Sequence, residues 1–197
     1  MTTSRSPVVH AAPSAAFASL LSAGLLAGLL AAPTARAFEP LGELNFTVSG
    51  LSGGGATFDK ERVVGPIVNM SIQEAGGWAG DLGHKDMELQ VSPTRLFGAG
   101  VSLVLAQKDG ALTVEGLFFG QRVRLDLNQK TFTGRYGTCS FDLKRARPGL
   151  YVGDVGCLKR DGFPATGKAT FKLTGQASQP DAPLPQLPLA LLAVLPS

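Results

Sequence analysis

A glycine beat constrains the fold of this chain more than any other feature. Trp78-Ala79-Gly80-Asp81-Leu82-Gly83 returns as Phe132-Thr133-Gly134-Arg135-Tyr136-Gly137 and again as Tyr151-Val152-Gly153-Asp154-Val155-Gly156. Looser copies begin at Leu96 and Val114, so the starts fall at 78, 96, 114, 132 and 151. The third residue of each copy is glycine: Gly80, Gly98, Gly116, Gly134 and Gly153. A fixed period of this kind marks one supersecondary unit copied along the chain.

The residues after each glycine identify the unit. Met87, Leu89 and Val91 alternate with Asp86, Glu88 and Gln90; Val123, Leu125 and Leu127 alternate with Arg122, Arg124 and Asp126. Cys139, Phe141 and Leu143 repeat the pattern, and Val101, Leu103 and Leu105 follow it less cleanly. Period-two alternation means a strand with one buried and one solvated face. No segment after the leader shows a 3.6-residue apolar stripe. Each unit is therefore read as a β-hairpin.

Turn chemistry sets the register. Asp109-Gly110 suits a two-residue type I′ turn, which requires positive φ at both positions. Centring the hairpin there pairs Leu105 with Val114 and Leu103 with Gly116. The repeat glycines are expected on the inner face, where a missing side chain makes room for an aromatic ring or marks a bend in a closing sheet. Flanking strands are expected around Leu44, Phe46 and Val48, around Val68, Met70 and Ile72, and around Ala169, Phe171 and Leu173. About a dozen short strands is the range where an open sheet closes or folds over. The expected fold is all-β: an antiparallel meander of about 18-residue hairpin repeats closed into a barrel. A two-sheet sandwich is the alternative.

The stretch Gly76-Gly77-Trp78-Ala79-Gly80-Asp81-Leu82-Gly83 resembles the first strand of avidin-type barrels. That resemblance implies an antiparallel barrel strand and nothing more. His84 stands where avidins place a biotin-contacting serine, and the chain has a single Trp, so biotin binding is not expected.

Residues 1–37 read as a cleaved signal peptide. An apolar run from Ala15 to Ala32 ends at Pro33, and Ala35-Arg36-Ala37 offers small residues at the cleavage positions. The expected product is exported, to the periplasm, the outer surface or beyond the cell. It comprises one domain over 38–175, with hairpin repeats from about residue 76, and a Pro-rich apolar tail over 176–197. That tail is expected to be extended against the barrel or free to meet a partner. In an oxidising compartment an isolated Cys pair forms a bridge. Centring the last hairpin on Pro148 brings Cys139 opposite Cys157, with Phe141 opposite Val155 and Leu143 opposite Gly153.

Charge argues against nucleic acid. Two of the 18 basic residues, Arg5 and Arg36, lie in the leader, which leaves 16 against 15 acidic residues. Near-neutrality hides a gradient from a net −5 over residues 38–121 to +7 over 122–172. Lys144, Arg145 and Arg147 cluster on one hairpin loop. A meander puts alternate turns at the same end, so Lys108 and Lys130 should share their rim. Such a rim is suited to an anionic envelope surface or polysaccharide.

Three functional readings follow. The first is an exported, non-enzymatic binding or structural module of the envelope or extracellular space, with no cofactor, no metal and no membrane-spanning segment once the leader is removed. The second is a small-ligand carrier whose cavity is flanked by Trp78, Phe132, Tyr136 and Tyr151. The third is a serine hydrolase, because Gly50-Leu51-Ser52-Gly53-Gly54 fits the nucleophile-elbow spacing. That elbow works only between a strand and a helix. Here it falls in a Gly/Ser stretch, Ser49–Ala56, read as a linker, so Ser52 ranks last.

Overall fold

The computed structural model describes residues 40–49, 51–74, 76–158, 162, 164–179 and 184–196, and of Leu51 and Ser52 the backbone alone. The expected signal peptide lies outside the described residues. Four strands precede the repeats: β1 (Gly42–Val48), β2 (Leu51–Phe58), β3 (Arg62–Gly65) and β4 (Val68–Ile72). The repeat copies open the odd strands β5 (Gly77–Leu82), β7 (Arg95–Gly98), β9 (Ala111–Phe118), β11 (Thr131–Tyr136) and β13 (Leu150–Leu158). Between them run β6 (Asp86–Ser92), β8 (Val101–Lys108), β10 (Gln121–Leu127) and β12 (Cys139–Arg147), and β14 (Pro164–Gly175) ends the series. Each strand pairs with its sequence neighbour, and β1 pairs with both β2 and β14, so the meander closes into a barrel. Closure leaves no edge strand among the described residues to template association.

The expected registers are present. Leu105 faces Val114 and Leu103 faces Gly116. Cys139 faces Cys157, with Phe141 on Val155 and Leu143 on Gly153. Alternation sends one set of side chains inward, as in β1, where Leu44, Phe46 and Val48 are buried. The outward set is largely polar and includes Glu43, Glu88, Arg124, Asp142 and Lys172.

Of the two causes expected for the repeat glycines, the bend holds and the aromatic space does not. Each lies opposite a large inward side chain: Gly80 on Met70, Gly98 on Leu89, Gly116 on Leu103, Gly134 on Leu125 and Gly153 on Leu143. A Cβ there would strike the carbonyl oxygen one residue before that partner, such as Arg124 O at Gly134. Gly134 also holds φ 135°, which side-chain-bearing residues avoid. The glycines thus sit at sharp bends where one strand backbone presses onto the next. Gly65 on β3 does the same against Gly55 O. The segment Val63-Val64-Gly65 is a sixth, shortened copy that the 18-residue spacing misses.

Two further expectations are corrected. Most of the Gly/Ser linker is strand β2, paired with β1 from Gly42–Phe58 to Val48–Leu51. The apolar tail is not extended throughout, since Leu187–Val194 forms helix α1 with all eight residues buried. Pro188 lies in the first turn, where its missing N–H costs nothing. A helix that is apolar on every side must be buried on every side, and the barrel interior provides that environment. α1 packs chiefly along β2, with β3 and β1 beside it. At its start Gln186 Nε2 donates to Lys60 O (3.1 Å), and at its end the Val194 backbone lies against Gly54. Gly54 of β2 makes room for this helix.

Candidate functional site

The proposed ligand-cavity aromatics are packing groups. Trp78, Phe132, Tyr136 and Tyr151 are all buried in the one hydrophobic cluster. The Phe132 ring lies 5.0 Å from that of Phe171 and 5.7 Å from that of Phe141; Tyr151 meets Phe171 at 6.1 Å and Tyr136 meets Phe118 at 6.0 Å. Phe46, 5.8 Å from Phe141, links this group to β1. The sequence brings these rings together because each occupies an inward position of its strand.

The basic rim lies at the end of the barrel where β1 begins and α1 enters. The topology places the β8–β9, β10–β11 and β12–β13 turns there, and Lys108, Lys130, Lys144 and Arg147 are exposed on them. Arg145 differs. Its backbone N–H donates to Lys130 O (2.8 Å) and its Nη1 to Gln129 O (3.0 Å). Tyr151 Oη donates to Asn128 O (2.7 Å). Three successive carbonyls of the β10–β11 turn are therefore held by one arginine and one tyrosine. The turn closes internally as well, because Asn128 Oδ1 accepts from the N–H groups of Lys130 and Thr131. Burial pushes the Tyr151 hydroxyl above its ordinary pKa of 10.0, and the neighbouring Arg145 guanidinium partly opposes that rise.

A second basic group escapes the loop-based reading. Arg124 and Arg135 face each other across β10–β11, and Arg122 lies two residues along the same outer face. Directly opposed like charges disfavour a sheet pair. Glu115 relieves only part of this, meeting Arg124 at 3.3 Å while both remain solvent-exposed. The alternation of Arg122 and Arg124 with Val123 signals the face, but bringing in Arg135 requires the register of the Asn128 turn.

The bridge occupies the opposite end of the barrel. The Leu158 N–H donates to Thr138 O (3.2 Å), which makes that pair hydrogen-bonded and its neighbour, Cys139–Cys157, non-hydrogen-bonded. Backbones approach most closely at such a pair, and the two cysteines are joined there. His84 sits on the β5–β6 turn with φ 63°, its N–H donating to Asp81 Oδ1 (3.2 Å). Ser52 lies on β2 rather than at a strand-to-helix elbow, and Gly50 lies outside the described residues. Among the described residues no group of three or more His, Cys, Asp or Glu is placed to hold a metal.

A cleft of about 790 Å³ opens at the α1 end, between the β6–β7 and β8–β9 turns and the segment that leads into the helix. No helix of the described residues is long and apolar enough to cross a membrane. Comparison with protein-family models, with curated proteins and with solved structures finds no match to the chain.

Proposed function

We propose that this chain is an exported, non-enzymatic β-domain that acts through its outer surface, as a binding or structural module of the cell envelope or extracellular space. The observation that carries the reading is the filled interior. Away from the cleft at the α1 end, inward Leu, Val and Phe side chains and the chain's own α1 occupy the space that an enclosing carrier would reserve for its ligand. The four aromatic residues that would flank such a ligand are instead buried within the core.

An outward face bearing Arg, Asp, Glu and Lys suits water rather than lipid, since a membrane barrel needs an apolar outer band. The exposed basic groups Lys108, Lys130, Lys144 and Arg147, with the arginine ladder Arg122, Arg124 and Arg135, favour an anionic envelope surface or polysaccharide as partner.

Co-sedimentation of the chain from Phe38 onward tests this. Retention on anionic vesicles or an acidic polysaccharide should exceed that on neutral ones and fall as salt rises. Charge reversal of Lys130, Lys144 and Arg147 together should reduce it. Equal retention on neutral and anionic material would refute the electrostatic contact. An intact mass from the host's envelope fraction that begins at Phe38 supports export; one beginning at Met1 refutes leader cleavage.

A further inference from the structure

We infer that the cleft at the α1 end binds a monomeric single-chain amphiphile, with its apolar chain in the cleft and an anionic head on Lys108. The site does not rest on export, and it shares only Lys108 with the surface contact proposed above.

The cleft exists because α1 is off-centre. The helix leans on β1, β2 and β3, so the facing wall at this end is left without a helical partner. That wall is Val91 of β6, Leu105 of β8 and Leu112 of β9, and the near side is Leu184, Pro185 and Pro188. Its volume, about 790 Å³, lies within the range of small-molecule sites, which are largely apolar with a few polar groups that fix orientation.

The polar lining consists of Ser92, Thr94, Gln107, Lys108 and Asp109. Lys108 and Asp109 sit on the β8–β9 turn, with Thr94 and Ser92 across from them. One charge of each sign on that turn is tipped towards positive by the neighbouring turns, which carry Lys130, Arg145 and Arg147. The helix start is a poor alternative anchor for an anion. The Leu187 N–H already donates to Leu184 O (3.0 Å), and Pro188 has none. The favourable arrangement places the head outward at Lys108 and the chain inward between Leu105, Leu112 and Pro188.

The test uses the chain from Phe38 onward in solution without vesicles, so that its outcome is separate from that of the surface contact. Titration calorimetry with laurate should show saturable one-to-one binding. Lys108→Glu should weaken laurate about tenfold while leaving the uncharged 12-carbon alcohol unchanged. A diazirine-bearing analogue of laurate should leave adducts on residues 91–94, 105–112 or 184–188. No saturable binding would overturn the inference. So would adducts confined to the exposed outer-face residues Phe97, Val104 and Leu117, or equal weakening of acid and alcohol by Lys108→Glu.

Discussion

The barrel walls from β5 to β14 and from β1 to β4 both use glycine where one strand backbone presses onto the next, but the second also uses one to seat a helix. In the first, glycines recur every 18 or 19 residues and let one strand backbone press onto the next. That wall builds its core from its own inward Leu, Val and Phe. In the second, the inner face of β2 carries Gly54 and Ala56 before the large Phe58, with Gly54 against the backbone of Val194. This wall takes much of its core from the far end of the chain, through α1. A regular repeat can supply its own interior, whereas the irregular wall depends on a segment more than 120 residues away, as the bond from Gln186 to Lys60 shows.

Removing residues 184–197 should have the largest effect. It deletes Leu187, Leu189, Leu191, Leu192, Val194 and Leu195, all buried. At about 1.5–3 kcal/mol each this amounts to roughly 10 kcal/mol or more, comparable with the whole net stability of a typical domain. The truncated chain should show no cooperative thermal transition. A melt within a few degrees of the full chain would mean that the irregular wall needs no borrowed core.

Gly134→Val attacks the regular wall. A side chain there meets the Arg124 carbonyl from a φ of 135°, at a cost of roughly 3 kcal/mol or more by denaturant unfolding. Replacing both Cys139 and Cys157 by Ser should cost about 2–4 kcal/mol, measured as the shift in denaturant midpoint. A shift smaller than the error of the measurement would make the bridge energetically idle.

Gly54→Ala probes the irregular wall at about 1–3 kcal/mol, because the new methyl presses on the backbone of Val194. Amide exchange should speed up in α1 and leave β9–β13 unchanged. Uniform acceleration would contradict the division into two walls.

Tyr151→Phe gives the smallest effect, about 1 kcal/mol from the lost hydrogen bond to Asn128 O. It also carries a pH signature. Burial raises the folded-state pKa of Tyr151 above 10.0, so the neutral phenol stabilises the fold below that value. This contribution is lost as pH rises through the folded-state pKa. The melting temperature of the wild type should therefore fall more steeply above pH 10 than that of Tyr151→Phe. Parallel curves would show that the hydroxyl is not held by burial.

What could be read from the amino-acid order divides along the same line. The hairpins, their registers and the Cys139–Cys157 bridge depend on alternation and turn residues within about 20 positions, and these are local signals. α1 left no such signal. A helix buried on all sides shows no stripe, and Pro188 reads as a breaker until its place in the first turn is known. β2 was equally opaque, because Gly53, Gly54 and Gly55 look like a linker unless a strand beside them and a helix on Gly54 are known. At the basic rim the residue types were legible. The use of Arg145 as a clamp on Gln129 and Lys130 was not, because it needs the β11–β12 register and the side-chain bond to Gln129 O. The mouth cleft was hidden for the same reason as α1, being the space that an off-centre helix leaves.

The central claim is that the barrel holds its own C-terminal helix, and amide hydrogen exchange over residues 187–195 tests it most directly. An isolated helix of eight residues is not stable in water, so any protection must come from burial in the barrel. The account expects these amides to exchange as slowly as those of β1, β2 and β3, within about tenfold, and to open in the same cooperative unit as those strands. Exchange at the rate of an unstructured peptide, with the strands still protected, would place the helix outside the lumen and contradict the account.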